Sequence, residues 1–266
     1  MTTRDILFAV DGGIATITLN RPAQRNAFSG QMGAELGAAY LECDRNDDVR
    51  AVVLTGSGRD FCVGADFSDG AKVFDKQEEA GFSAAGVEPP AFAVRKPVIA
   101  AVNGHAVGIG LTLAMQCDIR LFAAEAKCGF LHVRRGVLPD AYSHWTVPRA
   151  IGHARTAELF LTGRTFSGIE AAEMGLASRA LPAAEVLSGA QAIARDIAQN
   201  VAPLSAALCK RLLWEGRALS CEEIGQRETA LHHVVMGQPD ALEGVMAFLE
   251  KRAPQWRLRV ARDWPK

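Results

Sequence analysis

The chain has 266 residues, and its 29 basic residues nearly balance its 30 acidic residues, giving a formal net charge of −1. Hydrophobic residues make up 49% of it and charged residues 22%, as in an ordinary globular protein. This composition excludes a disordered chain, a collagen-like repeat and a disulfide-rich miniprotein, and the lack of excess basic charge argues against a nucleic-acid partner.

The six cysteines are scattered without a CxxC pair or a Cys/His cluster. We therefore predict reduced thiols in a cytoplasmic protein, with no metal site. The N-terminal residues carry no apolar signal core and no Arg-rich leader, so we expect no targeting segment. Residues 97–115 are uncharged and approach transmembrane length, but Asn103, His105 and three glycines favour a buried strand, turn and helix, and hence no membrane partner.

Short β-like and helix-like segments alternate along the first two thirds of the chain. The pattern predicts strands at residues 14–19, 51–55, 98–102 and 119–123, a helix at 31–46 and another helix beginning near Gly110. Strands separated by helices indicate an α/β protein with parallel strand pairing. Residues 67–95 are rich in Gly and Ala without a sustained period, which predicts a mobile loop or frayed helix beside a pocket. Its apolar residues are expected either to line that pocket or to pack against a neighbouring subunit: Phe74, Phe82, Pro89, Pro90 and Phe92.

The last third of the chain is predicted to be mostly helical. Helices are expected at residues 186–200, 204–217, 221–236 and 240–250, separated by Pro, Gly or Ser. We place a boundary near residue 200, which gives a core of residues 1–200 that holds the site and a helical oligomerisation region of residues 201–266.

Generic catalytic motifs are largely missing. Gly108-x-Gly110 is half of a dinucleotide fingerprint without its third glycine, and GxSxG, HExxH and GxxxxGK[ST] do not occur. Two strand ends, at residues 61–66 and 104–110, run into small-residue turns that open helices. Two backbone N–H groups that converge from such turns would form an oxyanion hole, and the alternative is ordinary turns that need Gly for backbone reasons.

Several short motifs follow one another in a family-like order and spacing. They are residues 20–22 (NRP), 25–27, 52–56 (VVLTG), 60–67 (DFCVGADF), 96–104 (KPVIAAVNG), 117–120 (CDIR), 161–164 (LTGR), 171–177 and 248–252 (FLEKR). With these motifs the chain resembles the crotonase (enoyl-CoA hydratase/isomerase) superfamily over essentially its whole length. The resemblance implies an α/β fold built as a crotonase-type spiral of ββα turns, with a C-terminal helical trimerisation region. It also implies a homotrimer or a homohexamer built as a dimer of trimers.

The same resemblance implies an acyl-CoA thioester as substrate and no permanently bound cofactor, coenzyme A being part of the substrate. The thioester oxygen is expected to lie between the backbone N–H groups of Ala65 and Ile109, although relatives usually have Gly at the second position. The other residues expected to bind substrate are Arg25, Val63, Gly64, Asp66, Thr112, Phe248 and Lys251.

For the three charged residues among these, the resemblance implies more specific roles. Arg25 lies in the stretch that reaches the CoA phosphates in relatives, and Lys251 lies in the stretch that reaches a neighbouring subunit's ligand. The alternative for both is a solvated surface charge. The Asp66 carboxylate is expected to tie down the loop that presents Ala65.

The departures from the family pattern bear on the reaction. Thr112 and His132 occupy the positions of the two glutamates that hold and activate water in hydratases, and Thr112 cannot act as a base near neutral pH. Asp140 stands where hydratases usually have Gly, as in relatives that use this aspartate: enoyl-CoA isomerases and aryl-CoA dehalogenases. The alternative is that Asp140 caps the following helix. His132 is either an acid/base or orienting group, or a packed histidine.

Three functions stay open at this stage. The first is an acyl-CoA isomerase in which Asp140 moves a proton through an enolate held by Ala65 and Ile109. The second is a hydratase that uses His132 and Asp140 in place of the glutamates. The third is a non-catalytic protein that binds acyl-CoA or a partner protein. Tyr142, Ser143 and His144 follow Asp140, and periodicity does not decide which of them faces the substrate.

Overall fold

The computed structural model of the chain describes residues 4–68, 70 and 83–265. Its strands are β1 (Ile6–Asp11), β2 (Ile14–Leu19), β3 (Ala51–Gly56), β4 (Val98–Val102), β5 (Ala106–Val107), β6 (Ile119–Ala123), β7 (Cys128–Gly129), β8 (Thr165–Phe166) and β9 (Arg179–Leu181). Its helices are α1 (Gly30–Arg45), α2 (Ile109–Ala114), α3 (Ser143–Thr162), α4 (Gly168–Met174), α5 (Ala183–Asn200), α6 (Pro203–Glu215), α7 (Cys221–Val235) and α8 (Pro239–Glu250).

A six-stranded sheet with the order β1-β2-β3-β4-β6-β9 forms the core. All neighbours from β2 to β9 are parallel, which confirms the predicted α/β pairing. β3 and β4 are buried along their whole length, as expected for parallel strands covered on both faces. The strands predicted at residues 14–19, 98–102 and 119–123 are confirmed, and β3 is one residue longer than predicted.

Strand β1 is an edge strand that the sequence pattern did not predict. It pairs with β2 in antiparallel fashion and leaves Leu7, Phe8 and Val10 exposed. Five consecutive residues of β1 lie on the accessible side, so the strand lacks the alternation of buried and exposed residues that identifies a half-buried strand.

Two long helices pack against this sheet from segments predicted as helical. Helix α1 begins after Ser29, whose hydroxyl accepts a hydrogen bond from the Met32 N–H, as a helix N-cap does. Helix α5 packs on β3, β4 and β6 and buries one small or β-branched residue every four positions: Val186, Ala190, Ala194 and Ala198. The small side chains let the helix lie close to the sheet.

The smaller sheet, with the order β5-β7-β8, positions the residues described below. Strand β5 ends at Val107, Gly108 is the N-cap of α2, and β7 ends just before the 3-10 helix Leu131–Arg135. Each of these strands has two residues, too few to show a hydrophobic period, so the sequence did not predict them.

The C-terminal third is helical, as predicted. Helices α5 to α8 fall on the four predicted segments, and α6 ends at Glu215, where a 3-10 turn, Gly216–Ala218, follows. Helix α8 carries a row of exposed apolar residues: Leu242, Val245, Met246, Phe248 and Leu249. Across the part of the chain that the structure describes, no helix combines the length and the apolar character that a membrane crossing requires.

Candidate active site

The two turns singled out in the sequence lie side by side. Cys62 and Ala106 form a parallel β-bridge, and the Val107 N–H donates to the Cys62 carbonyl over 3.0 Å. A Cβ atom placed on Gly108 would lie 3.7 Å from the Gly64 Cα, so the turns touch at their glycines. Gly108 has φ +56° and ψ −130°, a backbone conformation that L side chains rarely adopt.

Each turn presents an unused backbone donor. Among the residues that the structure describes, the N–H groups of Ala65 and Ile109 have no acceptor. Ile109 is the first residue of α2, and a helix leaves its first N–H groups without an intrahelical partner. The Ile109 side chain packs toward Gly86, since a Cβ at Gly86 would lie 2.8 Å from Ile109 Cδ1. Donor pairs of this kind can stabilise an oxyanion.

The turns open on a cavity of about 670 Å³ with a mainly apolar lining. The residues lining it are Phe28, Val63, Gly64, Ala65, Phe67, Ser83, Ala84, Gly86, Val107, Gly108, Ile109, Leu131, His132, Arg135, Val137, Leu138, Pro139, Asp140 and His144. Six predicted site residues are among them: Val63, Gly64, Ala65, Ile109, His132 and Asp140. An apolar cleft with a few polar groups is typical of a small-molecule site.

Asp140 faces this cavity and does not cap the following helix. Helix α3 begins at Ser143, its N-cap position is Tyr142, and no side chain accepts a capping hydrogen bond there. The Asp140 Oδ1 instead accepts a hydrogen bond from the Thr112 hydroxyl over 2.7 Å. The capping interpretation of Asp140 is therefore wrong.

His132 lies beside Asp140 in an unusual polar environment. Its side chain is 8% exposed, and neither ring nitrogen has a hydrogen-bond partner among the described residues. Its Nε2 lies 3.4 Å from the Asp140 Oδ1, within ion-pair range but not aligned as a hydrogen bond. Because buried polar atoms are nearly always satisfied, these nitrogens point to a ligand or solvent partner in the cavity.

Thr112 is placed differently from the expectation that it contacts substrate. It is fully buried inside α2 and does not line the cavity. Its hydroxyl lies within hydrogen-bond distance of the Asp140 carboxylate and the Ile109 carbonyl. Asp66 also lies off the cavity. Its carboxylate accepts from Arg21 over 2.7 Å and from the Ser68 N–H over 2.9 Å, and these bonds hold its pKa below the usual value.

The three remaining predicted residues lie outside the cavity of this chain. Arg25 donates through its guanidinium to the nearly buried Asp60, over 2.8 and 3.2 Å. Phe248 is 81% exposed on α8, and Lys251 follows the end of that helix with φ +54°. Neither of the two lines the cavity of this chain, and a role in a neighbouring subunit stays a prediction.

The segment of residues 67–95 contributes to the cavity through other residues than predicted. Ser83, Ala84 and Gly86 line it, whereas Phe92 packs against Trp145 and Trp214, with ring centroids 5.4 and 5.1 Å apart. The proline pair, 89–90, does not line it either, and positions 74 and 82 lie outside the described residues. Small side chains carry no apolar signal, so sequence reasoning missed them.

His144 is the residue after Asp140 that faces the cavity. Ser143 is buried, and the Tyr142 hydroxyl lies at the surface 3.4 Å from Glu88 Oε2. The residue at which α3 begins determines which of these three side chains faces the cavity, and the sequence pattern did not locate that residue.

Comparison with known proteins places this geometry in a family. The family model for enoyl-CoA hydratase/isomerase matches residues 9–259. The chain belongs to the enoyl-CoA hydratase/isomerase family. A protein of Mycobacterium tuberculosis named probable enoyl-CoA hydratase echA8 is 39% identical over 260 residues, covering 97% of this chain and all of that protein. Enoyl-CoA hydratase ACTT3 of Alternaria alternata is 37% identical over 93% of this chain and 86% of its own length.

Solved structures of family members share the fold. A probable enoyl-CoA hydratase/isomerase from Mycobacterium abscessus is 50% identical with a TM-score of 0.92, over 95% of this chain and 98% of that one. An enoyl-CoA hydratase from Bacillus anthracis is 32% identical with a TM-score of 0.88, over the same shares. The superfamily resemblance and the crotonase-type α/β fold are thereby confirmed.

The described residues contain no group of three or more His, Cys, Asp or Glu side chains that could hold a metal ion. Burial raises the pKa of the Cys43, Cys62, Cys117 and Cys128 thiols to about 12, so these cysteines are poor nucleophiles.

Proposed function

We propose that this family member is an acyl-CoA enzyme that transfers a proton on the acyl chain through an enolate, most simply as an enoyl-CoA isomerase. The observation that carries the proposal is the position of Asp140. Its carboxylate faces the same apolar cavity as two unused backbone N–H groups, those of Ala65 and Ile109. A base and an oxyanion hole are the two groups that enolate formation from a thioester requires.

The steps follow from this arrangement. The thioester oxygen accepts hydrogen bonds from Ala65 and Ile109, which stabilises the negative charge that develops on it by about 3–4 kcal/mol per donor in other enzymes. The Asp140 carboxylate removes an acidic proton of the acyl chain and is neutralised. It then returns the proton to another carbon of the dienolate, which moves the double bond and restores the carboxylate. The apolar lining keeps water from competing for the enolate.

Hydration is the second candidate, and a separate observation favours it. His132 and Asp140 lie 3.4 Å apart with both imidazole nitrogens unpartnered, a pair that could hold a water molecule. Several relatives are also named as enoyl-CoA hydratases. A non-catalytic acyl-CoA or partner-binding protein would use the same cavity without turnover.

Incubation of the purified protein with a 2-enoyl-CoA and, separately, a 3-enoyl-CoA tests these candidates. We expect the double bond to migrate in the 3-enoyl substrate and acyl protons to exchange with D₂O. Accumulation of 3-hydroxyacyl-CoA from the 2-enoyl substrate would favour the hydratase instead. If binding occurs with neither migration, exchange nor hydration, the enzyme proposal is wrong.

Coenzyme A is proposed to bind as part of the substrate through positive charge at the cavity mouth. Arg25 is the candidate, and replacing it with Ala should weaken acyl-CoA binding by a factor that shrinks as salt rises. Isothermal titration with free CoA at two ionic strengths measures this. The Arg59→Ala variant is the matched control, because that side chain is 80% exposed and also contacts Asp60, at 3.3 Å. An unchanged affinity of the Arg25 variant for free CoA at low salt would contradict the assignment.

The Arg25→Ala variant should also lose stability in a pH-dependent way. Burial alone would raise the pKa of Asp60, but the hydrogen bond and charge of Arg25, together with smaller contributions from His105 and Arg59, lower that pKa below its usual value. The pair therefore stabilises the fold above the unfolded pKa of about 3.9 and stops doing so as pH falls through the folded pKa. We expect the free energy of unfolding to fall by about 1–2 kcal/mol at pH 7, a value between those typical of exposed and buried ion pairs. This difference from the wild type should disappear in acid.

We also propose that the chain assembles as a homotrimer or a dimer of trimers through residues 201–266. The exposed apolar residues of α8 recur three, four and seven positions apart, which places them on one helix face suited to a second copy of the chain. All six cysteines are free thiols, which supports a reducing compartment such as the cytoplasm.

A further inference from the structure

We infer that Thr112 is a positioning residue for Asp140, and this inference rests on the proposed function. The Thr112 hydroxyl lies 2.7 Å from Asp140 Oδ1, whereas Asp140 Oδ2 has no hydrogen-bond partner among the described residues. A hydroxyl bound to one carboxylate oxygen fixes the rotation of the group and leaves the other oxygen for the substrate. Position 112 therefore keeps a role in the reaction after losing the ability to act as a base.

The direction of this hydrogen bond follows from the donors present. A hydroxyl has one hydrogen, and Thr112 has two acceptors in reach: Asp140 Oδ1 at 2.7 Å and the Ile109 carbonyl at 3.1 Å. An ionised carboxylate is the stronger and closer acceptor, so the hydrogen points to Asp140 when Asp140 is ready to act as a base. Because the Ile109 carbonyl is a second acceptor, the Thr112 hydroxyl keeps a hydrogen-bond partner when the Asp140 carboxylate becomes neutral.

The position in the fold makes the contact rigid. Thr112 is fully buried in the first turn of α2, three residues after Ile109, whose N–H is the proposed oxyanion donor. The loop that carries Asp140 is held to the same region by the Gln116 side chain, which donates to the Ala141 carbonyl over 3.1 Å. One short helix therefore sets both the base and the oxyanion donor.

The Thr112→Val variant tests the inference, because valine keeps the branched shape and removes the donor. Without this hydrogen bond the Asp140 carboxylate can rotate away from the substrate, which should lower the rate of proton transfer more than it weakens substrate binding. We expect turnover near neutral pH to fall about tenfold, with little change in KM. Thr112→Ser, which keeps the hydroxyl, should restore most of the activity.

Thr156→Val is the matched control for removing a buried helical threonine hydroxyl. Thr156 donates within α3 to the Gly152 carbonyl over 2.8 Å and does not line the cavity, so turnover and KM of this variant should stay close to wild type. Wild-type turnover in Thr112→Val, with Asp140→Asn inactive, would overturn this inference alone. Full activity in Asp140→Asn would overturn the proposed function as well. In the Asp140→Asn background, Thr112→Val should have no further effect on proton exchange.

Discussion

Replacing Asp140 with Asn is expected to lower turnover by about 10² or more, the usual scale for loss of a general base, while folding and CoA affinity are retained. Asparagine has the same size, and its side-chain oxygen can still accept the hydrogen bond from Thr112. What it cannot do is take up a proton from the acyl chain. Steady-state kinetics on a substrate that the wild type turns over, with CoA titration and a thermal melt, measure the three quantities.

Glu88→Gln is the matched carboxylate-to-amide control for this variant. Glu88 contacts the Tyr142 hydroxyl at the surface and does not line the cavity, so turnover of this variant should stay close to wild type. His132→Gln separates the two candidate reactions, since it should impair hydration more than double-bond migration. An Asp140→Asn enzyme with full activity would refute the role of this carboxylate and leave His132 as the titratable candidate.

Replacing Gly108 with Ala is expected to cost about 10²–10³ in turnover, comparable to the removal of one oxyanion donor. At φ +56° and ψ −130° an alanine is strained, so the backbone should rotate and redirect the Ile109 N–H. The new methyl group would also lie 3.8 Å from His132 Nε2, next to the reacting atoms. Kinetics together with the melting temperature distinguish lost catalysis from lost stability.

Gly152→Ala provides the comparison for backbone strain. Gly152 has φ +78° and ψ +165° inside α3, and a Cβ there would meet no atom within 4 Å. Both alanine variants should therefore lose stability by about 1–3 kcal/mol, and Gly108→Ala alone should lose turnover. Equal turnover in the two variants would show that the Gly108 turn does not present a catalytic donor.

The sequence predicted those parts of the fold where burial produces a long pattern. Buried parallel strands such as residues 98–102 are continuous apolar runs in the sequence. The glycines in the turns after such strands indicated where the candidate site lies. The two-residue strands and the edge strand β1 carry no such pattern and were missed. The family resemblance identified which positions carry the polar residues of the cavity, but it did not predict the contacts of those residues. That Thr112 reaches Asp140, 28 residues later, depends on how α2 and the loop before α3 pack, which no local pattern encodes.

Because Gly86 and Ile109 are in contact, the residues that the fold accepts at these two positions are expected to depend on each other. The tip of the isoleucine occupies the space that any side chain at position 86 would need, and Gly86 has φ +73°. A larger residue at position 86 therefore has to accommodate this positive φ and also requires the Ile109 side chain to move or to become smaller, and a glycine at position 109 would leave more space at the wall of the cavity. Related sequences should vary at these positions as a pair, and libraries aimed at other acyl groups should randomise them jointly.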